Sequence, residues 1–167
     1  MIKLTTAEGA VIEVEQDVIE QSGTIRNILT DLGPSSQPIP LPNVSGPILT
    51  KIIQYCRHHR NDPGRRKDQA MVSETESGSE AAIEQTISQM DDFDHEFCKV
   101  DQGTLFDMFL AANFLDIQPL LDVIGYTVAQ MMKGKSVEEI RDTFKVKNDF
   151  TPEEEAQVRK ENSWCEN

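Results

Sequence analysis

IPLPNVSGPILTKIIQYCRHHRNDP, residues 39–63, passes from an extended run into a helix and out again. Each proline in IPLP disfavours helix in the residue before it, so 39–42 is extended. Prolines donate nothing to a ladder, which suits an edge or short strand better than a central one. Ser45 stands where a helix cap belongs, with Pro47 in the first turn. Ile48, Leu49, Ile52, Ile53 and Cys56 then recur at the spacing of one buried helical face. Asn61, Asp62 and Pro63 end the helix. A short strand leading into a one-sided helix indicates a mixed α and β fold.

Upstream, IKL and VIEVE are two extended runs separated by TTAEGA, whose Glu8 and Gly9 suit a hairpin. Thr24 can cap a helix that carries Ile25, Ile28, Leu29 and Leu32 on one side, and Gly33 with Pro34 stops it. Downstream, residues 62–99 change character. GRRKDQAMVSETESGSE is polar and reads as a mobile loop. EAAIEQTISQM aligns Ile83, Ile87 and Met90 in a weak helix, and Phe93 and Phe97 rejoin the folded part. Acidic pairs such as Asp91 and Asp92 read as solvated loop. Ser73 and Ser77 precede acidic residues by three positions, as modified serines can, but an inert linker explains them as well.

From Asp101 the pattern is helical. LFDMFLAANFL (105–115) is apolar nearly all round, which implies burial on several sides. Asp116 can cap the next helix, whose stripe is Ile117, Leu120, Leu121, Ile124, Val128 and Met131, closed by Gly134. Ser136 with Glu139, then Thr151 with Glu154, have the spacing of capping boxes. The last helix carries acids at its start and Arg159 and Lys160 at its end, which suits the macrodipole. Its apolar content is only Pro152, Ala156 and Val158, followed by the lone tryptophan, Trp164. So short a helix with so little to bury is marginal alone. Burying Trp164 in a partner would contribute about 2–3 kcal/mol, the alternative being that it folds back on its own chain; Met131 and Met132 suit an adaptable surface and equally suit ordinary core packing.

The whole chain has 167 residues, 38% hydrophobic and 27% charged, with a net charge of −13. That balance is globular and repels phosphate backbones and anionic bilayers, so neither nucleic acid nor membrane is an expected partner. Cys56, Cys98 and Cys165 are odd in number and far apart, which favours a reducing compartment, cytoplasmic or nuclear. YCRHHR (55–60) gathers a cysteine and two histidines, but adjacent helical residues point about 100° apart and do not share an ion readily. The reading is a core cysteine with two exposed histidines, and no metal or other cofactor is expected. Phosphate-cradle, nucleophile-elbow and zinc-protease motifs are absent from the sequence, so no catalytic residue is assigned.

Residues 39–63, then 94–123 (DHEFCKVDQGTLFDMFLAANFLDIQPLLDV) and 131–167 (MMKGKSVEEIRDTFKVKNDFTPEEEAQVRKENSWCEN), together resemble the Skp adaptor subunits of SCF (Skp–cullin–F-box) ubiquitin ligases. The likeness covers nearly the whole chain outside about 64–93. It implies an α/β (α+β) fold of BTB/POZ type with two additional C-terminal helices. On that basis 1–63 and 94–130 form the BTB/POZ part, 64–93 a flexible variable loop, and 131–167 the F-box-binding helices. The resemblance implies a non-catalytic bridge between a cullin and interchangeable F-box substrate receptors. It points to Asn113 and Phe114 as the cullin-binding pair, where the family has Asn-Tyr. It points to Leu105, Phe106, Val128, Met131, Met132, Ile140, Phe144, Val146, Phe150 and Trp164 as the F-box surface. Pro152, in the TPEEE motif, is a candidate for the hydroxylation known in some lineages. A weak homodimer of the free protein follows from an unoccupied apolar surface. Departures include Phe93 where tryptophan is common, and Gly125 and Tyr126 where a Cys-Lys pair is common. The competing readings are a self-associating BTB scaffold, an elongin-C-like adaptor for a non-F-box receptor, and a small acidic protein binding metal through Cys56 and His58.

Overall fold

The extended runs at the N-terminus form the expected hairpin. Strand β1 (Ile2–Thr5) pairs antiparallel with β2 (Val11–Val14), placing Leu4 opposite Ile12. Gly9 supplies the positive φ, 82°, that the connection needs. β3 (Ile39–Pro40) runs parallel to β1, giving the order β2-β1-β3. The proline-rich strand therefore lies at an edge, as its missing donors require. This is the computed structural model of the chain, which describes residues 1–33, 37–62 and 90–162. The expected loop and weak helix across 64–89, and Trp164 with it, lie outside the described residues.

Among the described residues the helices are α1 (Gln16–Ile19), α2 (Gly23–Leu32), α3 (Gly46–His58), α4 (Asp92–Phe97), α5 (Gln102–Leu115), α6 (Gln118–Met132), α7 (Val137–Phe144) and α8 (Pro152–Glu161). A single 3-10 turn, His59–Asn61, extends α3. Ser45 precedes α3, but its side chain makes no cap bond. The Gly46 N–H donates instead to Glu8 Oε2 at 3.1 Å, so the hairpin turn caps the helix. Ile48, Leu49, Ile52, Ile53 and Cys56 are all buried, with Tyr55 beside them.

Two compact units emerge, Met1–Met131 and Met132–Asn167. In the first, Leu4, Val14, Ile25, Leu49, Ile52, Met108, Leu115, Leu120 and Ile124 close one core between sheet and helices. A fully buried Leu or Ile contributes about 1.5–3 kcal/mol. In the second, no described residue is buried.

Two assignments of helix ends are corrected. Ser22, not Thr24, caps α2: its hydroxyl accepts from the Ile25 N–H at 3.1 Å. Asp116 does not cap α6. It is the left-handed C-cap of α5, with φ 53°. Folded structure also resumes earlier than the expected end of the loop at 93, because α4 starts at Asp92 behind an Asp91 cap.

Burial raises the Cys56 thiol to about 12, and burial likewise raises Cys98. Both stay protonated at neutral pH and are poor nucleophiles. An alkylating reagent at pH 8 is expected to leave Cys56 unmodified in the native protein and to label it after denaturation. Native labelling at the rate of a free thiol would show that the inner face of α3 opens.

Candidate functional site

Helix α5 has two apolar faces. Leu105, Met108, Ala112 and Leu115 point into the core, Leu105 being 2% exposed. Phe106, Phe109 and Leu110, at i, i+3 and i+4, face outward, Leu110 at 64% exposure. Burial on several sides, expected from the sequence, is therefore corrected: one side is fully buried, and on the other Phe106 and Phe109 are 37% and 36% exposed. Asn113 continues the open stripe, and Phe114 beside it is half-buried against the core. Leu105 supports this surface from beneath and does not form it. Phe109 and Leu110 were not singled out from the sequence, although the 106, 109, 110, 113 spacing carried the signal. Farther along the first unit, Val128 and Met131 on α6 are partly buried against the core.

The second unit is held by caps and charge. Ser136 with Glu139 and Thr151 with Glu154 form reciprocal capping boxes, as expected. Arg141 Nη1 lies 3.3 Å from Glu155 Oε1, and Asn148 donates to the other Glu155 oxygen at 3.2 Å. Hydrogen bonds from Asn148 and then Arg141 hold the Glu155 carboxyl below its usual range. Arg159 pairs with Glu138 and with Glu155, tying α8 to α7. Ile140 and Phe144 are half-buried. Met132, Val146 at 57% and Phe150 at 48% are exposed, as are Val137 and Val158, which were not assigned to the surface. Pro152, at the first turn of α8, is exposed.

The histidines of YCRHHR differ from their expected placement. His58 is exposed, but His59 is 1% exposed. His59 Nδ1 lies 2.7 Å from Asp62 Oδ2, and Nε2 lies 2.8 Å from the fully buried Asp94 Oδ1. A neutral imidazole has one N–H, so two carboxyl partners call for a second proton in this cluster, on the ring or on a carboxyl oxygen. His58 Nε2 meets Asp91 Oδ2 at 2.8 Å, and its ring stacks on Phe93 with centroids 3.9 Å apart. Asp91 is thus a cap and the hydrogen-bond partner of His58, not a solvated loop residue. Partial burial opposes its ionisation, but hydrogen bonds from His58 and the Asp94 N–H prevail and keep its carboxyl below the usual range. Ligand atoms of His58, His59 and Asp91 lie within 4.8 Å of one another. Both His59 nitrogens are engaged by carboxyl oxygens in this arrangement.

An α/β core joined to a well-capped helical unit whose apolar side chains lie open is the build of a protein that packs against others. Residues 118–165 match the Skp1 family's dimerisation domain, and residues 1–61 match its tetramerisation domain. The chain is 48% identical over 166 residues to the SCF ubiquitin ligase complex protein SKP1a of Dictyostelium discoideum, covering 99% of this chain and 96% of that one. It is 47% identical over 165 residues to the E3 ubiquitin ligase complex SCF subunit sconC of Arthroderma benhamiae, covering 99% and 94%. The sconC subunit of Aspergillus flavus is also 47% identical, over 99% and 96%. The chain belongs to the Skp1 family. Its fold is accordingly the POZ-type α/β fold with further C-terminal helices.

Proposed function

We propose that this protein is the non-catalytic adaptor of an SCF-type E3 ubiquitin ligase, joining a cullin scaffold to F-box substrate receptors in the cytoplasm and nucleus. End-to-end similarity to SCF subunits supports the class. The observation that carries the mechanism is the second unit, in which capped helices hold Met132, Val137, Val146, Phe150 and Val158 open to solvent. Caps and ion pairs fix the backbone in advance, so little ordering remains to oppose binding. An F-box domain would cover the apolar side chains, together with Ile140, Phe144 and Trp164. The cullin would take Asn113 and Phe114, at the other end of the open α5 stripe from Phe106. Self-association of the free protein is the second reading, favoured by the exposed Phe106, Phe109 and Leu110.

Trp164 is the only tryptophan, so its fluorescence reports on one place. Titration with a tryptophan-free F-box domain is expected to give a saturable blue shift as the indole leaves water. An unchanged spectrum, with no complex on size exclusion, would reject the F-box reading.

A further inference from the structure

The C-terminal end of α5 is closed by another helix. Helix ends leave their last carbonyls without intrahelical partners. Here the Ala112 carbonyl accepts from the Ile117 N–H at 3.0 Å, and the Asn113 carbonyl from the Asp116 N–H at 3.1 Å. The next three acceptors are served by the start of α2. Thr24 Oγ1 donates to the Phe114 carbonyl at 2.8 Å, Ser22 Oγ to the Leu115 carbonyl at 2.5 Å, and the Gly23 N–H to the Asp116 carbonyl at 3.0 Å. Ser22 Oγ also accepts from Ile25 N–H, so one hydroxyl caps two helices. The approach is close enough to require glycine at the centre. A Cβ on Gly23 would lie 1.9 Å from Asp116 Oδ2 and 3.2 Å from Asp116 Cβ. Turning the carboxylate aside would relieve the nearest clash but break the present packing, and the 3.2 Å to Asp116 Cβ would still require the junction to give by a few tenths of an ångström.

We infer that Ser22, Gly23 and Thr24 are positioning residues for cullin recognition, holding the last turn of α5 so that Asn113 and Phe114 are presented in one fixed geometry. The inference rests on the cullin assignment made above. Its physical content is that the carbonyl fixed by Thr24 is that of Phe114 itself, and those fixed by Ser22 and Gly23 belong to the following two residues. A shift of this turn re-aims the pair without touching it.

The test uses full-length protein and an isolated cullin N-terminal domain, with affinities read by calorimetry. Gly23→Ala is expected to bind the cullin domain about tenfold more weakly, with F-box affinity unchanged. Adding Asp116→Gly removes the clashing carboxylate and accepts the positive φ without strain, so the double variant is expected to regain cullin affinity. Thr24→Val, which keeps the shape and deletes one hydrogen bond, is expected to give a smaller loss in the same direction. If Gly23→Ala and Thr24→Val both bind the cullin domain like the native chain, the positioning role is overturned. If the loss in Gly23→Ala is not recovered by Asp116→Gly, the geometric account is overturned as well. Asn113→Ala and Phe114→Ala are measured in parallel. Native cullin affinity in those two would reject the underlying assignment, whatever the Gly23 series shows.

Discussion

His59→Leu is expected to destabilise the first unit by about 3 kcal/mol, the cost of leaving the buried Asp94 carboxyl without its hydrogen-bond partner. The leucine side chain fills most of the imidazole's volume, so packing loss is small. What is lost is the ring whose nitrogens meet the fully buried Asp94 carboxyl at 2.8 Å and Asp62 at 2.7 Å. Asp94 cannot turn to water, because its other oxygen accepts from the Asp91 N–H in the capping box of α4. For a chain of this size the midpoint of thermal unfolding should fall by roughly 10 °C. Asp94→Asn should cost less, since an amide still accepts from the ring. Thermal melts followed by circular dichroism decide the matter, and an unchanged midpoint in His59→Leu would remove the cluster from the account of stability. The pair also has a topological role. His58 and His59 end the α3 segment, while Asp91 and Asp94 begin α4. His58 and His59 are thereby tied to Asp91 and Asp94, which lie more than thirty positions on in the chain.

What the sequence discloses depends on how far apart the deciding atoms lie. The capping boxes of α7 and α8 were legible because donor and acceptor are three residues apart, and so was the buried stripe of α3. The His59 environment was not, because Asp94 is 35 positions away across a polar stretch. Thr24 and Ser22 are equally good caps on local grounds; the Phe114 carbonyl, 90 positions on, engages Thr24 and leaves the cap to Ser22. Helix α5 defeated the pattern in another way. Apolar residues on both faces give no direction, and only the packed core shows that Leu105 is inside while Phe106 is outside. Of the α5 residues to which the resemblance points, Leu105 therefore faces inward, while Phe109 and Leu110, exposed on the same helix, carry no assignment. Met132, Ile140, Phe144, Val146 and Phe150, the described residues that the resemblance implies in the second unit, are accessible or half-buried, because the described part of that unit buries no residue.

Removing residues 133–167 is expected to abolish F-box binding, by at least about a hundredfold, while leaving the first unit folded and able to bind a cullin. Every buried apolar residue among those described lies between Leu4 and Ile124. The deletion therefore takes nothing from the core, and the melting midpoint should move by no more than about 3 °C, under 1–2 kcal/mol in a chain of this size. Affinity is expected to vanish because the apolar side chains of α7, α8 and their connection go together, and contacts of this kind concentrate binding energy in a few large side chains. A milder version keeps the backbone. Phe150→Asp places a charge on the connection between α7 and α8, where the ring is exposed and makes no part of either cap. It should leave the helical signal unchanged and still weaken F-box binding by about tenfold or more, because a carboxylate buried at an interface loses its hydration. Truncated protein that melts far below the native chain would show that the second unit stabilises the first. Truncated protein that keeps its F-box affinity would place the receptor surface on α5 and α6 instead.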